Sequence, residues 1–348
     1  MCSVLESPTL DAPASRAELP AQVPSLDDYR RQLREQLDVC ASRAARFEGY
    51  AQVLPLLRSA PLHNEPALEQ TLSLEDDPYL MHHVVDGKPV LPMAMALELM
   101  AQRVAAGWPQ WQVAELRDVR QFSGIVFENR HARRVLLRAT AAGTDAQGYP
   151  TVTVELIDVH TSLSRYRATA VLSAALPEGQ PLPADTLPDP VAIDADRAYN
   201  EILFHGESFQ LIRHITALST PGIDAEVHPS SPRRLLGDLH RDGRWLFDPG
   251  LLDVPPQLAF VWARELHEAG ALPIRFGRVI RYGAEPLEGL LSLRLRFKPA
   301  SHAQGLCYDA QVADASGRLR LAIVDGESTM STALNRLSRG HPDFRELA

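Results

Sequence analysis

The chain has 348 residues, with 44 acidic against 35 basic side chains and a net charge of −9. That length suits two domains better than one, and 45% hydrophobic with 23% charged content is globular. The negative balance argues against general nucleic-acid binding. No apolar run approaches the roughly 20 residues that cross a bilayer. The start Met1-Cys-Ser-Val-Leu-Glu-Ser-Pro8 lacks the basic and apolar parts of a signal peptide. Cys2, Cys40 and Cys307 are odd in number and scattered without a CxxC. Neither a disulfide framework nor a cysteine zinc site is expected, which fits a reducing cytoplasm. Lys88 and Lys298 are the only lysines, so arginine carries almost all the positive charge.

In chain order, residues 1 to about 25 are rich in Pro, Ala and Ser and read as a flexible lead-in. From Leu26 to about Tyr50, Leu33, Leu37, Cys40, Ala44 and Phe47 recur at helical steps, with Ser25 as N-cap. A second helix is expected from Pro92 to about Ala106, because proline is tolerated at a helix start and Met93-Ala-Met-Ala-Leu-Glu-Leu-Met100 follows. Strands are expected at Val113–Phe122, Arg134–Thr140, Thr151–Asp158 and Tyr166–Ala174, with Gly143 to Gly148 as a turn. The Pro- and Asp-rich stretch from Leu176 to about Asp194 reads as a linker. Beyond it come strands near Leu211–Leu218 and Asp224–His228, and a helix from about Val254 to Ala269. Strands at Val279–Tyr282, Leu290–Lys298, Tyr308–Asp314 and Leu319–Ser328 complete the unit, with Asp314-Ala-Ser-Gly317 as a hairpin turn. A helix followed by antiparallel strands, twice, is α+β with two related halves; the glycine fingerprint of a Rossmann fold is missing. The expected division is 1–58 linker and helix, 59–178 first half, 179–195 linker, 196–335 second half and 336–348 tail.

The most informative stretch is His83-Val-Val-Asp-Gly87-Lys-Pro-Val-Leu-Pro92. It sets a histidine and a conformationally free glycine ahead of a helix whose positive end can face a ligand. Two further segments follow: Leu203-Phe-His205-Gly206-Glu-Ser-Phe209-Gln210 and Asp248-Pro-Gly-Leu-Leu-Asp253-Val-Pro-Pro-Gln257. Together and in this order they resemble the motifs of dehydratase domains of polyketide and polyunsaturated-fatty-acid synthases, over roughly residues 60 to 335. The Phe-His-Gly form is similar to fatty-acid and enediyne-type synthases, where modular polyketide synthases usually carry Tyr at the place of His205. Glu207 stands where the family commonly has proline, and Pro255-Pro256 is unusual there, which bears on pocket shape and on the helix start near Val254.

The resemblance implies a double hot-dog fold, two antiparallel sheets each wrapping a central helix, with His83 and Asp253 as catalytic residues and Gln257 as their polar companion. It also implies substrate contacts at Gly87, Pro92, His205, Gly206 and Phe209. The implied partners are an acyl carrier protein bearing phosphopantetheine, other synthase domains and a second copy of the chain in a homodimer. No dissociable cofactor is expected. Dehydrating a 3-hydroxyacyl thioester needs a base for the Cα proton and an acid for the leaving hydroxyl. Neutral His83 is the natural base. Asp253 is then the acid, kept protonated by burial in an apolar tunnel. A backbone N–H near Gly87 or at the Pro92 helix start is expected to steady the enolate oxygen. The same dyad would serve double-bond isomerisation or cyclisation, and a silent structural role is the remaining alternative. His82, His83 and Asp86 lack metal-ligand spacing, Ser208 and Ser328 lie in no nucleophile elbow, and no metal is expected. Asp238 reads as a loop residue.

Overall fold

Fourteen strands and two long helices make up the part of the chain that the computed structural model describes, residues 54–58, 66–240, 242–299, 301 and 304–346. The expected N-terminal lead-in, the helix at 26–50, Cys2 and Cys40 lie outside these residues. The elements run β1 (Ala67–Leu72), β2 (Val84–Val85), β3 (Lys88–Pro89), α1 (Met93–Gly107), β4 (Gln112–Gln121), β5 (Arg133–Thr144), β6 (Pro150–Asp158) and β7 (Leu163–Ser173). Then come β8 (Val191–Ile193), β9 (Ile212–Ser219), β10 (Gly222–Val227), α2 (Pro249–His267), β11 (Gly270–Arg281), β12 (Leu291–Phe297), β13 (Gly305–Ala313) and β14 (Leu319–Ser331). Twelve strands form one antiparallel sheet ordered β1-β5-β6-β7-β4-β11-β14-β13-β12-β10-β9-β8; β2 and β3 form a separate hairpin. The two expected sheets are therefore edge-joined halves of one, sewn together where β4 meets β11, with Leu116 opposite Val279 and Val119 opposite Phe276.

Strand alternation explains the wrap. Along β6, Val152, Val154 and Leu156 are buried while Thr153 and Glu155 are only partly covered, so one face of the pleat turns inward. What it meets is a helix apolar on nearly every side. Leu97, Met100, Ala101 and Val104 of α1 are at 0% exposure, and Leu251, Leu252, Val254 and Leu258 of α2 likewise. Burying each such leucine contributes about 1.5–3 kcal/mol. This matches the double hot-dog expectation.

Two buried polar side chains of α1 tie the halves together. The Glu98 carboxylate accepts N–H groups of Leu246 and Phe247, both at 2.8 Å, and the Gln102 amide at 2.8 Å. It thereby fixes the segment that feeds α2. Asp248 then caps α2, accepting from Leu251 N–H at 3.0 Å while its other carboxylate oxygen takes Ser230 N–H at 2.8 Å. This cap, with Pro249 at the first position, starts the helix five residues before the expected Val254. Pro255 and Pro256 lie inside it. They withhold two ladder N–H groups, yet tertiary packing holds the helix through them.

Three other expectations change. The 179–195 linker contains β8, which pairs with β9, and Pro181 bridges to Arg318. The described part of the expected tail, residues 336–346, is packed: Leu337 and Ser338 are buried, and Gly340 N–H bonds Glu201 C=O at 2.8 Å. β1 and the β2–β3 hairpin, which the sequence pattern did not reveal, extend the first half. No described helix is long and apolar enough to cross a membrane.

Candidate active site

His83 sits at the base of a short self-closing hairpin. The turn Pro78–His82 delivers it, its carbonyl accepts Val90 N–H at 3.0 Å, and its Nδ1 donates to the Val90 carbonyl at 2.9 Å. A carbonyl only accepts, so the hydrogen is on Nδ1 and Nε2 presents a lone pair. Between these residues, Asp86 and Gly87 adopt φ of 51° and 76°, the left-handed pair that a two-residue hairpin turn requires. Arg336 grips the Asp86 carboxylate in two-pronged fashion, at 2.8 and 2.6 Å. Asp86 thus serves the hairpin rather than a metal.

A backbone bond carries this loop to the second half. Gly206 N–H donates to the His82 carbonyl at 2.8 Å, and a Cβ on Gly206 would stand 2.7 Å from His82 Nδ1 and 2.8 Å from His82 Cα. Glycine is required here by close approach, since its φ of −78° is ordinary. Gly206→Ala should cost about 1–3 kcal/mol through forced repacking and lower turnover by pushing His83 off line; denaturant unfolding and steady-state rates check both.

Asp253 projects from the second turn of α2, fully within the core. Gln257, one turn on, donates from Nε2 to Asp253 Oδ2 at 2.9 Å and to the Phe209 carbonyl at 3.2 Å. Its Oε1 accepts the Tyr199 hydroxyl at 3.1 Å, and that hydroxyl accepts Ile212 N–H at 3.0 Å. Gln257 is completely buried and acts on the carboxylate, not on a ligand. No sequence motif pointed to Tyr199, which precedes the glycine segment in an irregular helical turn. Tyr199→Phe would leave a buried amide oxygen and a buried N–H unpaired, an expected loss of about 1–3 kcal/mol measurable by chemical denaturation.

His205 completes the cluster. Its Nε2 lies 3.2 Å from Asp253 Oδ2, and its ring stacks on Phe204 at 4.0 Å and stands 5.5 Å from the His83 ring. The Phe209 ring packs 6.0 Å from His83. The ligating atoms of His83, His205 and Asp253 all lie within 4.8 Å of one another, so groups from both halves meet at one point.

These residues open on a cavity of about 240 Å³ lined also by Val85, Val90, Leu91, Met93, Gln121, Phe204, Pro256, Phe260, Ala271 and Leu272. Four of the five expected contacts are not among its lining residues. Gly87 packs against Arg345 and the Glu346 carbonyl, and Pro92 is the residue before α1, beside the lining residues Leu91 and Met93. Gly206 supports the loop through its backbone. Of the expected substrate contacts, only His205 lines the cavity.

The electrostatics differ from expectation in one respect. Burial pushes His83 down to about 4, against the opposing pull of the Asp253 charge, so it is a neutral base at pH 7. Burial also favours a neutral Asp253, as anticipated. Yet His205 beside it, by its charge and its hydrogen bond, and the Gln257 amide outweigh burial, and the carboxyl is held below its ordinary range. The expectation that burial alone keeps Asp253 protonated is therefore corrected.

Comparison with known proteins agrees with this architecture. A polyunsaturated fatty acid synthase subunit of Thraustochytrium sp. is 25% identical over 247 residues, 68% of this chain and 8% of that protein. The chain thus spans under a tenth of that relative. A mycocerosic acid synthase-like dehydratase domain has a TM-score of 0.60 at 22% identity, covering 80% of this chain and 96% of its own. The dehydratase domain of RzxB from Pseudomonas fluorescens has 0.60 at 17%, covering 79% and 99%. A trans-acyltransferase polyketide synthase enoyl-isomerase has 0.55 at 14%, covering 76% and 100%. These likenesses establish the double hot-dog fold. Residues 55–155 match the family model "Polyketide synthase dehydratase domain", and residues 176–338 match "Polyketide synthase dehydratase N-terminal domain". With both halves matched, over about three quarters of the sequence, the chain belongs to the polyketide synthase dehydratase family.

Proposed function

We propose that this domain removes water from 3-hydroxyacyl thioesters carried on an acyl carrier protein, giving 2-enoyl thioesters in polyketide or polyunsaturated-fatty-acid synthesis. The observation that carries this reading is the meeting of His83 and Asp253, from opposite halves, in one largely apolar cavity. His83 Nε2 takes the Cα proton, its tautomer set by the Val90 carbonyl. The Cα electrons form the double bond and the Cβ–O bond breaks. In the protonated form of the site, Asp253 gives the departing hydroxyl its proton. Gln257 and His205 both occupy Oδ2, which leaves Oδ1 for the substrate oxygen. The start of α1 has no side-chain cap, so its free N–H groups beside Met93 suit the developing enolate oxygen.

The thioester arrives on phosphopantetheine, with no dissociable cofactor and no metal. The carrier and other domains of a cytoplasmic synthase are the partners, and the functional unit is a homodimer. Supplying 3-hydroxyacyl and 2-enoyl thioester surrogates in parallel tests the reaction by ultraviolet absorbance of the conjugated thioester. The expected result is enoyl formation from the first and hydration of the second toward the same equilibrium. Migration or ring closure of the enoyl substrate, with no elimination from the hydroxy compound, would transfer the site to isomerase or cyclase chemistry.

A further inference from the structure

The acid arm of the site has a partner that the dyad description leaves out. His205 is buried, its Nε2 faces Asp253 Oδ2 at 3.2 Å, and its Nδ1 is enclosed without a hydrogen-bond partner among the described residues. Its position is imposed rather than incidental: Phe204 stacks on the ring, and the His205 carbonyl accepts Gln210 Nε2 and Arg339 Nη2, each at 3.1 Å. We propose that His205 and Asp253 hold one proton jointly, and that this shared proton is the one delivered to the leaving hydroxyl. His205 is thus a positioning and proton-sharing residue that acts through Asp253. The inference rests on the dehydratase reading for its place in the cycle, but the sharing is a property of the resting protein.

Two facing groups in a dry site titrate as a pair. In one arrangement the proton sits on His205 Nε2, with Asp253 ionised; in the other it sits on Asp253. As the Cβ–O bond breaks, Asp253 gives the departing oxygen the proton it received from His205 Nε2 at Oδ2, the carboxyl turning about Cβ–Cγ to bring that O–H to the cavity, and the pair is left one proton short. The proton that His83 took from Cα then returns to the pair, across a gap that the 5.5 Å ring separation keeps short. The cycle closes with no net proton gained or lost. Few other titratable groups face the pair. His83 is across the cavity, and Tyr199 reaches Asp253 through Gln257. Tyr308 of β13 feels the Asp253 charge, and burial keeps both tyrosines un-ionised, each pushed well above its ordinary range. Arg339 Nη2 donates to the His205 carbonyl, not to the ring.

The arrangement answers a difficulty of the site. A buried aspartate alone loses its proton as pH rises past its own pKa. A facing pair offers a second holder for that proton, 3.2 Å from Oδ2.

His205→Gln is the informative variant, since glutamine can still donate a hydrogen bond to Asp253 but cannot carry the proton. An infrared titration of the carboxylic-acid band that Asp253→Asn removes reads the resting protein without turnover. The expected result is that this band appears at higher pH in His205→Gln than in wild type, because no imidazolium holds the carboxylate ionised. A band that does not move would overturn the sharing. In the pH–rate profile, the high-pH limb of kcat/KM should fall at least about one pH unit lower in His205→Gln, while the low-pH limb, set by His83, stays in place. An unchanged high-pH limb in the variant, at wild-type rates, would equally overturn it. If wild type eliminates no water from any thioester, the dehydratase reading fails, and the infrared result alone decides the sharing.

Discussion

Replacing His83 with alanine should reduce elimination by about 10²- to 10⁴-fold, the worth of one positioned proton transfer, with KM little altered. A single bond makes the ring a base. Val90 takes the Nδ1 hydrogen of His83, so the neutral ring can offer only Nε2, on the cavity side. Burial holds the ring near 4, well below a free imidazole. The pH dependence has a definite sign. Wild-type kcat/KM should stay level from pH 7 downward and fall only as pH approaches about 4, where His83 becomes imidazolium and stops accepting protons. A fall already centred at pH 6.5 would place the base on a solvated histidine. Stability should follow the same window. Between pH 6.5 and 4 the unfolded chain binds a proton at this position that the folded chain does not, so lowering pH through that range weakens the fold.

Asp253→Asn should be about as severe, again roughly 10²- to 10⁴-fold in kcat, although the side chains are nearly the same size. Asparagine has no acidic proton for the leaving hydroxyl. It can still meet Gln257, whose amide is steered by Tyr199 and the Phe209 carbonyl, so the fold should survive. Near-wild-type turnover in this variant would remove Asp253 from the chemistry. Gln257→Leu is a useful contrast: it should lower kcat less than Asp253→Asn, because it only frees the carboxylate to rotate.

Much of this site was legible in the sequence because its chemistry travels in short local segments. His83, Gly206, Asp253 and Gln257 each stand in a motif with fixed spacing, and α1 announced itself through an apolar run behind Pro92. Long strands such as β6 were legible by alternation. The features that escaped depend on distant partners. β1 has few β-branched residues and is a strand because β5 pairs with it. β8 is three residues inside a Pro- and Asp-rich stretch, and only β9 makes it a strand. Gly87 looked like a ligand contact, but its left-handed φ serves a hairpin turn. The start of α2 was misplaced because Asp248 caps it through a carboxylate shared with Ser230, a contact across 18 residues. The charge state of Asp253 was misjudged for a related reason. Burial can be anticipated from surrounding leucines, whereas His205, which most opposes it, arrives from another segment of the chain.

If His83 and Asp253, from opposite halves, eliminate water together, the cooperation can be read from mass alone. A carrier protein loaded with a 3-hydroxyacyl chain would be weighed intact after incubation with wild type, His83→Ala or Asp253→Asn. One water mass should be lost with wild type, and the mass should stay unchanged with either variant over the same time. Loss of water at equal rates in all three would refute the pairing, as would no loss in any across several chain lengths and both hydroxyl configurations.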